Sequence, residues 1–178
     1  KKTNKPLMKK FMIRGIFHAI GVTLWFYSMT VITMAEVTAI GFLTPIFICI
    51  GASFLFKEKI TGFRFFAIII SFIGALIILR PGLKLFETGH GCMLFAAFVF
   101  SFSYLIVKQV SEEKNSTEIV GFLSLFTTLF LIPMAIYDWE SINNTNLFLL
   151  FLTAIIATCG HITMTMAIKS APMVVIQP

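Results

Sequence analysis

Polar residues in this chain come in short clusters, and long stretches of apolar side chains run between them. Six stretches approach the roughly 20 residues that an α-helix needs to cross the hydrocarbon of a bilayer. They cover residues 12–33, 35–56, 65–79, 91–107, 119–137 and 147–168. The third and fourth are short, and a short span either borrows flanking residues or stands nearly upright. A seventh helix begins near Ala171. The runs are too long for strands and show no alternation of apolar and polar positions. The expected fold class is therefore all-α: a polytopic transmembrane helix bundle of six complete helices plus the start of a seventh.

The connections hold most of the charge. They are 1–10, the tight turn at Thr33-Met34, 57–62, 80–90, 108–118, 138–146 and 169–172. Connections this short make consecutive helices antiparallel neighbours and leave no room for a separate soluble domain. Basic residues then set the orientation, because they concentrate on the cytoplasmic side. A cytoplasmic N-terminus puts Lys1, Lys2, Lys5, Lys9, Lys10, Arg14, Lys57, Lys59, Arg64, Lys108, Lys114 and Lys169 inside. Only Arg80 and Lys84 fall outside, and together these are all 14 Lys and Arg of the chain. A helix too many or too few would have scrambled that asymmetry.

Composition agrees. Hydrophobic residues make up 58% and charged residues 12%, about half the charged share of an ordinary soluble domain. A water-soluble core of this size could not hide so much Phe, Ile and Leu. The net charge of +6 does not point to nucleic acid, since no basic face runs along a helix. Cys49, Cys92 and Cys159 each fall within a span and lack metal-type spacing, so they read as small packing residues. The sequence contains no HExxH, GxSxG, Walker or GxGxxG motif, and no pair of acidic residues inside a span. No catalytic residues, metal site or cofactor are expected. Any transport would run on a solute gradient or a coupled ion rather than on bound nucleotide.

There is a faint internal echo. Gly21-Val-Thr-Leu-Trp-Phe-Tyr-Ser precedes one turn and a new helix, and Gly160-His-Ile-Thr-Met-Thr-Met-Ala precedes another. The two copies enter the membrane from opposite sides, because five helices separate them. Inverted repeats of this kind mark transporters, with the solute site at the repeat interface near the bilayer midplane.

Several local runs, in order, resemble the EamA-like family of the drug/metabolite transporter superfamily. They are Leu24-Trp25-Phe26-Tyr27-Ser28-Met29, Met34-Ala35-Glu36-Val37-Thr38-Ala39-Ile40, Thr44-Pro45, Phe56-Lys57-Glu58-Lys59-Ile60, Gly74-Ala75, Leu79-Arg80-Pro81-Gly82 and Ala167-Ile168-Lys169-Ser170-Ala171-Pro172. The resemblance covers nearly the whole chain. It implies a ten-helix protein made of two inverted five-helix repeats. Residues 1–79 would be the C-terminal part of the first repeat, 80–90 an outside connection, and 91–178 an incomplete second repeat. On that map the chain, which opens on Lys1 and stops within an apolar run, is expected to be part of a longer protein. The implied activity is secondary transport of a small organic metabolite such as an amino acid, S-adenosylmethionine or a vitamin-like solute. Its partners would be the lipid bilayer, the solute and a coupled proton or other ion, with a homodimer compatible. Short loops suit a bacterial inner membrane. A scaffold without transport and a membrane-embedded enzyme using two histidines are the alternatives.

Polar groups in hydrocarbon need partners, so their positions are informative. His18, one turn beyond Arg14, is suited to bind a carboxylate or carry a proton; a histidine bonded to a neighbouring carbonyl competes with that reading. His161 stands beside Gly160 and Thr163, where a helix or ligand could approach closely. His90 falls in an outside connection and reads as a solvated loop residue. Trp25 and Tyr27 can stack a flat or cationic solute or belong to an interfacial aromatic belt. Tyr104, with Ser101 and Ser103, forms a similar cluster on the fourth span. Glu36 opens the second span, where a carboxylate meets the positive end of the helix dipole or guards an outer mouth. Glu58, between Lys57 and Lys59, reads as a helix-end cap. Pro45 is expected to kink the second span and Pro133 the fifth. Gly51, Ala52, Ser53, Gly74, Ala75 and Gly121 read as close-packing positions.

Overall fold

The computed structural model describes residues 5–80, 85–137 and 139–176. Lys1, Lys2 and Lys84 of the charge count, Pro81-Gly82 of the family-like run and Asp138 lie outside the described residues. Eight helical segments occur among those described: α1 (Lys5–Val31), α2 (Met34–Gly41), α3 (Thr44–Phe56), α4 (Gly62–Leu79), α5 (Thr88–Val110), α6 (Ser116–Tyr137), α7 (Asn144–Ser170) and α8 (Met173–Ile176). No strand is present among them. The two short spans do borrow their flanks: α4 starts three residues early, and α5 gains three at each end.

Among the described residues, five stretches are long and apolar enough to cross a membrane: Met34–Phe56, α4, α5, α6 and α7. The first expected span, now α1, is 27 residues long but is not one of them. Arg14, His18, Thr23 and Tyr27 lower its mean hydropathy. Its place in the bundle explains how these residues are tolerated. α1 packs most extensively on α5 and then on α6, which buries Arg14 and half-buries His18 and Thr23 against protein, as polar groups in a membrane require, while Tyr27 stays exposed. Gly15 and Gly21 make this approach possible. A Cβ at Gly15 would collide with the backbone and Cβ of Phe126 on α6, and one at Gly21 would come within 2.6 Å of the Phe100 ring on α5.

The second span is interrupted. α2 ends at Gly41, a turn occupies Phe42–Leu43, and α3 begins at Thr44 with Pro45 in its first turn. The expectation of a proline kink inside one continuous helix is thus corrected. Pro45 opens a new helix, where its missing N–H costs nothing. Pro133 does lie inside an unbroken α6, on an exposed face.

The core falls into two clusters. One, toward the lysine-rich end of the bundle, joins Phe11, Ile48, Leu105, Ile119, Ile168 and Met173. The other, at the opposite end, joins Ile32, Val37, Ile40, Leu43, Met93 and Ala96. α4 and α7 sit at the periphery. Ala75 is the one buried residue of α4, and α7 buries Thr165 and Ile168. Phe66 and Ile70 on α4, and Phe148, Phe151 and Ile156 on α7, are exposed. Side chains of this kind face hydrocarbon at no cost.

Candidate solute cavity

Between the two clusters lies a hollow of about 360 Å³, lined by His18, Trp25, Gly41, Thr44, Pro45, Phe100, Tyr104, His161 and Met164. His18 stands at the middle of α1, and Gly41, Thr44 and Pro45 flank the break in the second span. Irregular backbone at membrane depth is tolerated where it lines a cavity. Backbone bonds from Phe42 N–H to the Thr38 carbonyl and from Phe47 N–H to the Leu43 carbonyl carry the chain across the break. The His18 and His161 rings meet edge to face, with centroids 5.4 Å apart, and His18 also packs on Phe100 at 5.1 Å. His18 Nδ1 is buried without a hydrogen-bond partner.

The expected site residues divide. His18, Trp25, Tyr104, His161 and Pro45 converge on this hollow. Tyr27, Glu36, Thr163 and Pro133 do not line it. Tyr27 is exposed and shares a hydrogen bond of 3.1 Å with Thr88. Thr163, also exposed, donates back to the carbonyls of Cys159 and Gly160 on its own helix. Gly160 has nothing within 4 Å of where its Cβ would be, so it does not mark a close helix approach among the described residues.

Glu36 is 4% exposed. It accepts from the backbone N–H and hydroxyl of Thr33, closing a capping box on α2. That is the expected first-turn role. Its other oxygen lies 3.9 Å from His90 Nε2. His90 corrects the reading of a solvated loop. It is 7% exposed, in the first turn of α5, and its Nδ1 accepts from the Glu87 backbone N–H. The capping pattern at Glu87 through His90 was the available signal.

Arg14 was counted only as a basic residue near the cytoplasm. It is 2% exposed, and one guanidinium N–H donates to the Ile119 carbonyl at 2.8 Å. Glu58 also takes another role. Its carboxylate accepts the backbone N–H groups of Met173 and Val174 at 3.1 and 3.0 Å. It therefore caps the start of α8 rather than the end of its own helix. A second hollow, of about 310 Å³ between the α2–α3 pair and α4, is walled mostly by Ala, Ile and Phe. Ser71 is its one hydroxyl, so it offers little to a polar solute.

The EamA-like transporter family matches residues 1–80 and 87–178. The chain belongs to the EamA-like transporter family. Among its relatives are the S-adenosylmethionine uptake transporter of Rickettsia prowazekii, 27% identical over 84% of this chain and 50% of that one, and the riboflavin transporter of Vibrio cholerae, 29% identical over 83% of this chain and 50% of that one. The pseudopaline exporter CntI of Pseudomonas aeruginosa is 22% identical over 72% of this chain and 45% of its own length. The chain spans about half the length of the curated relatives it matches. No solved structure matches. Membership of the family agrees with the all-helical bundle and makes the chain an integral membrane protein. The names of these relatives point to transporters of small metabolites rather than to enzymes.

Proposed function

We propose that the complete protein is a secondary transporter of a small organic metabolite, and that the hollow around His18 and His161 is part of its solute pathway. One observation carries this reading: a hollow at mid-height in an otherwise apolar bundle, on whose largely apolar wall two histidines, a tyrosine and a threonine meet. A pure scaffold has no use for two histidines, a tyrosine and a broken helix at that depth, where each polar group needs a partner. The two aromatic walls, Trp25 and Phe100, suit a flat or partly apolar solute. The solutes for which two relatives are named, S-adenosylmethionine and riboflavin, have that character, although one relative is named for uptake and another for export.

In the same reading the chain forms helices three to eight and the start of the ninth of a ten-helix protein, with its lysine-rich end in the cytoplasm of a bacterium. The His18–His161 pair sits where a coupled proton would be exchanged. A homodimer is compatible with the exposed outer faces. The test is flux of labelled S-adenosylmethionine, riboflavin and amino acids into vesicles holding the full-length protein. Replacing His18→Ala and His161→Ala together should lower the flux of the accepted solute roughly tenfold or more, the loss expected for two polar contacts. Tyr27→Phe should leave it unchanged. Undiminished flux through the folded double variant would remove the hollow from the pathway.

A further inference from the structure

At the lysine-rich end the hollow is closed by a cluster built from distant parts of the chain. Tyr104 and Met164 line the hollow and also pack on that cluster. α3 contributes Ile48, Cys49 and Ala52 to it, and α7 and α8 contribute Ile168, Met173 and Val174. All six are at most 2% exposed. A solute passing between the hollow and this end has to part them.

Glu58 fastens the two contributors together. It follows Lys57, which ends α3 in the left-handed conformation at φ 55°. Helices often end this way, usually with Gly, and a lysine there is under backbone strain. The Glu58 carboxylate then accepts the N–H groups of Met173 and Val174 at 3.1 and 3.0 Å. A charged acceptor makes these the stronger kind of hydrogen bond, yet they can be exchanged. Glu58 is half-buried, and the flanking Lys57, Lys59 and Pro172 are exposed. Water can therefore take over both partners when they separate, as it does at other helix starts.

The second span also has a place to bend. α2 packs mainly on α5 and α4, whereas α3 packs on α5 and α8. The break at Phe42–Leu43 lies between them. The capping box of Thr33 and Glu36 holds the first half, and Glu58 holds the second. Breaks of this kind absorb the backbone rotation when a packed element moves.

We propose that the Glu58 contact is the latch of a gate at the lysine-rich end. α3 moves about the break, carries Glu58 away from α8 and parts the cluster, which opens the hollow at that end. This rests on the reading of the hollow as a solute pathway and names its gate.

The experiment uses the full-length protein in lipid nanodiscs with Cys49 as its only cysteine. A water-soluble maleimide then reaches both faces and reports opening of the cluster. Glu58→Ala should speed the labelling of Cys49 roughly tenfold or more, the shift expected on losing hydrogen bonds to a charged acceptor. Glu58→Gln should fall between. Thr33→Ala removes the cap of α2 instead and should leave the rate unchanged. No acceleration in Glu58→Ala, or equal acceleration in Thr33→Ala, overturns the proposal, the latter because any loosening would then expose Cys49. A second variant keeps Glu58 and decides even if Glu58→Ala does not fold. Lys59→Cys with Pro172→Cys, in a cysteine-free background, should be bridged by a short bismaleimide. The bridged protein should lose flux of whichever of S-adenosylmethionine, riboflavin and amino acids its untreated form carries, and each single variant should keep that flux after the same treatment. A pair that does not bridge, or flux undiminished through the bridged pair, sinks the gate. Acceleration of Cys49 labelling in Glu58→Ala without flux of any of these solutes would sink the transport reading and leave the latch standing.

Discussion

Glu58 illustrates how much one side chain can join. It follows α3 in the chain, yet its carboxylate holds the first two N–H groups of α8, 115 positions away. A helix start leaves its first N–H groups without intrahelical partners, and an anion there also meets the positive end of the dipole. Removing such a cap costs about 0.5–2 kcal/mol, and bonds to a charged acceptor lie at the upper end of the scale. Glu58→Ala should therefore lower the unfolding temperature of the full-length protein, and Glu58→Gln should restore part of the loss because its amide oxygen still accepts. An unchanged midpoint in Glu58→Ala would mean that α8 is held by packing alone. The charged Lys57-Glu58-Lys59 run was legible in sequence as a helix terminus, but not as the cap of another helix, since nothing local encodes a contact over that separation. His90 was misread for a related reason. A polar residue between two spans looks like loop until the bond from the Glu87 N–H to His90 Nδ1 draws it into α5, where Glu36 closes over it.

At the scale of the helices, hydropathy located every long element, while the structure extends the first by seven residues at its start and breaks the second into α2 and α3. Which helix lies at the centre was harder to read. α5 buries the most residues, and the least apolar long helix, α1, packs along it and along α6, because a membrane reverses the soluble rule: apolar faces go to lipid and polar ones to protein. His18, Trp25, Tyr104 and His161, each singled out in sequence as a polar or aromatic residue within a span, line one hollow, and Arg14 is buried as well. Small residues were only partly legible. Gly74, Gly121 and Gly160 have nothing within 4 Å of a built Cβ, whereas Gly15 and Gly21, neither of which reads as a packing position in the sequence, are in tight contact. The contrast is testable in thermal unfolding. Gly15→Ala pushes a methyl group into Phe126 Cβ and tightly against its backbone, and overpacking of this kind costs typically about 1–3 kcal/mol. Gly121→Ala meets open space in a helix interior, where the change from Gly is favourable by roughly 0.5–1 kcal/mol. Equal effects of the two substitutions would contradict the close α1–α6 approach.

For the whole molecule, the two ends of the bundle differ in chemistry. At one end Lys108 Nζ reaches the carbonyls of Ile168 and Ala171, Lys169 Nζ reaches the Lys114 carbonyl, and Lys114 pairs with Glu118. These bonds tie α5, α6 and α7 together at the face that also carries Lys57 and Lys59. The opposite face has Arg80 and the exposed Trp139 and Tyr137, residue types that settle at the lipid headgroups. Lysines that satisfy helix-end carbonyls are still positive charges, and translocating them across a bilayer is unfavourable, so the lysine-rich face should remain in the cytoplasm. Single cysteines introduced as Lys59→Cys and Trp139→Cys into a full-length, cysteine-free background read this directly. A membrane-impermeant thiol reagent added to intact cells should label the Trp139→Cys protein and leave the Lys59→Cys protein unlabelled until the membrane is opened. Labelling of Lys59→Cys alone would invert the molecule. Labelling of both would put an odd number of crossings out of place between α3 and α7, and the packing of α1 on α5 and α6, on which the cavity depends, would have to be rebuilt.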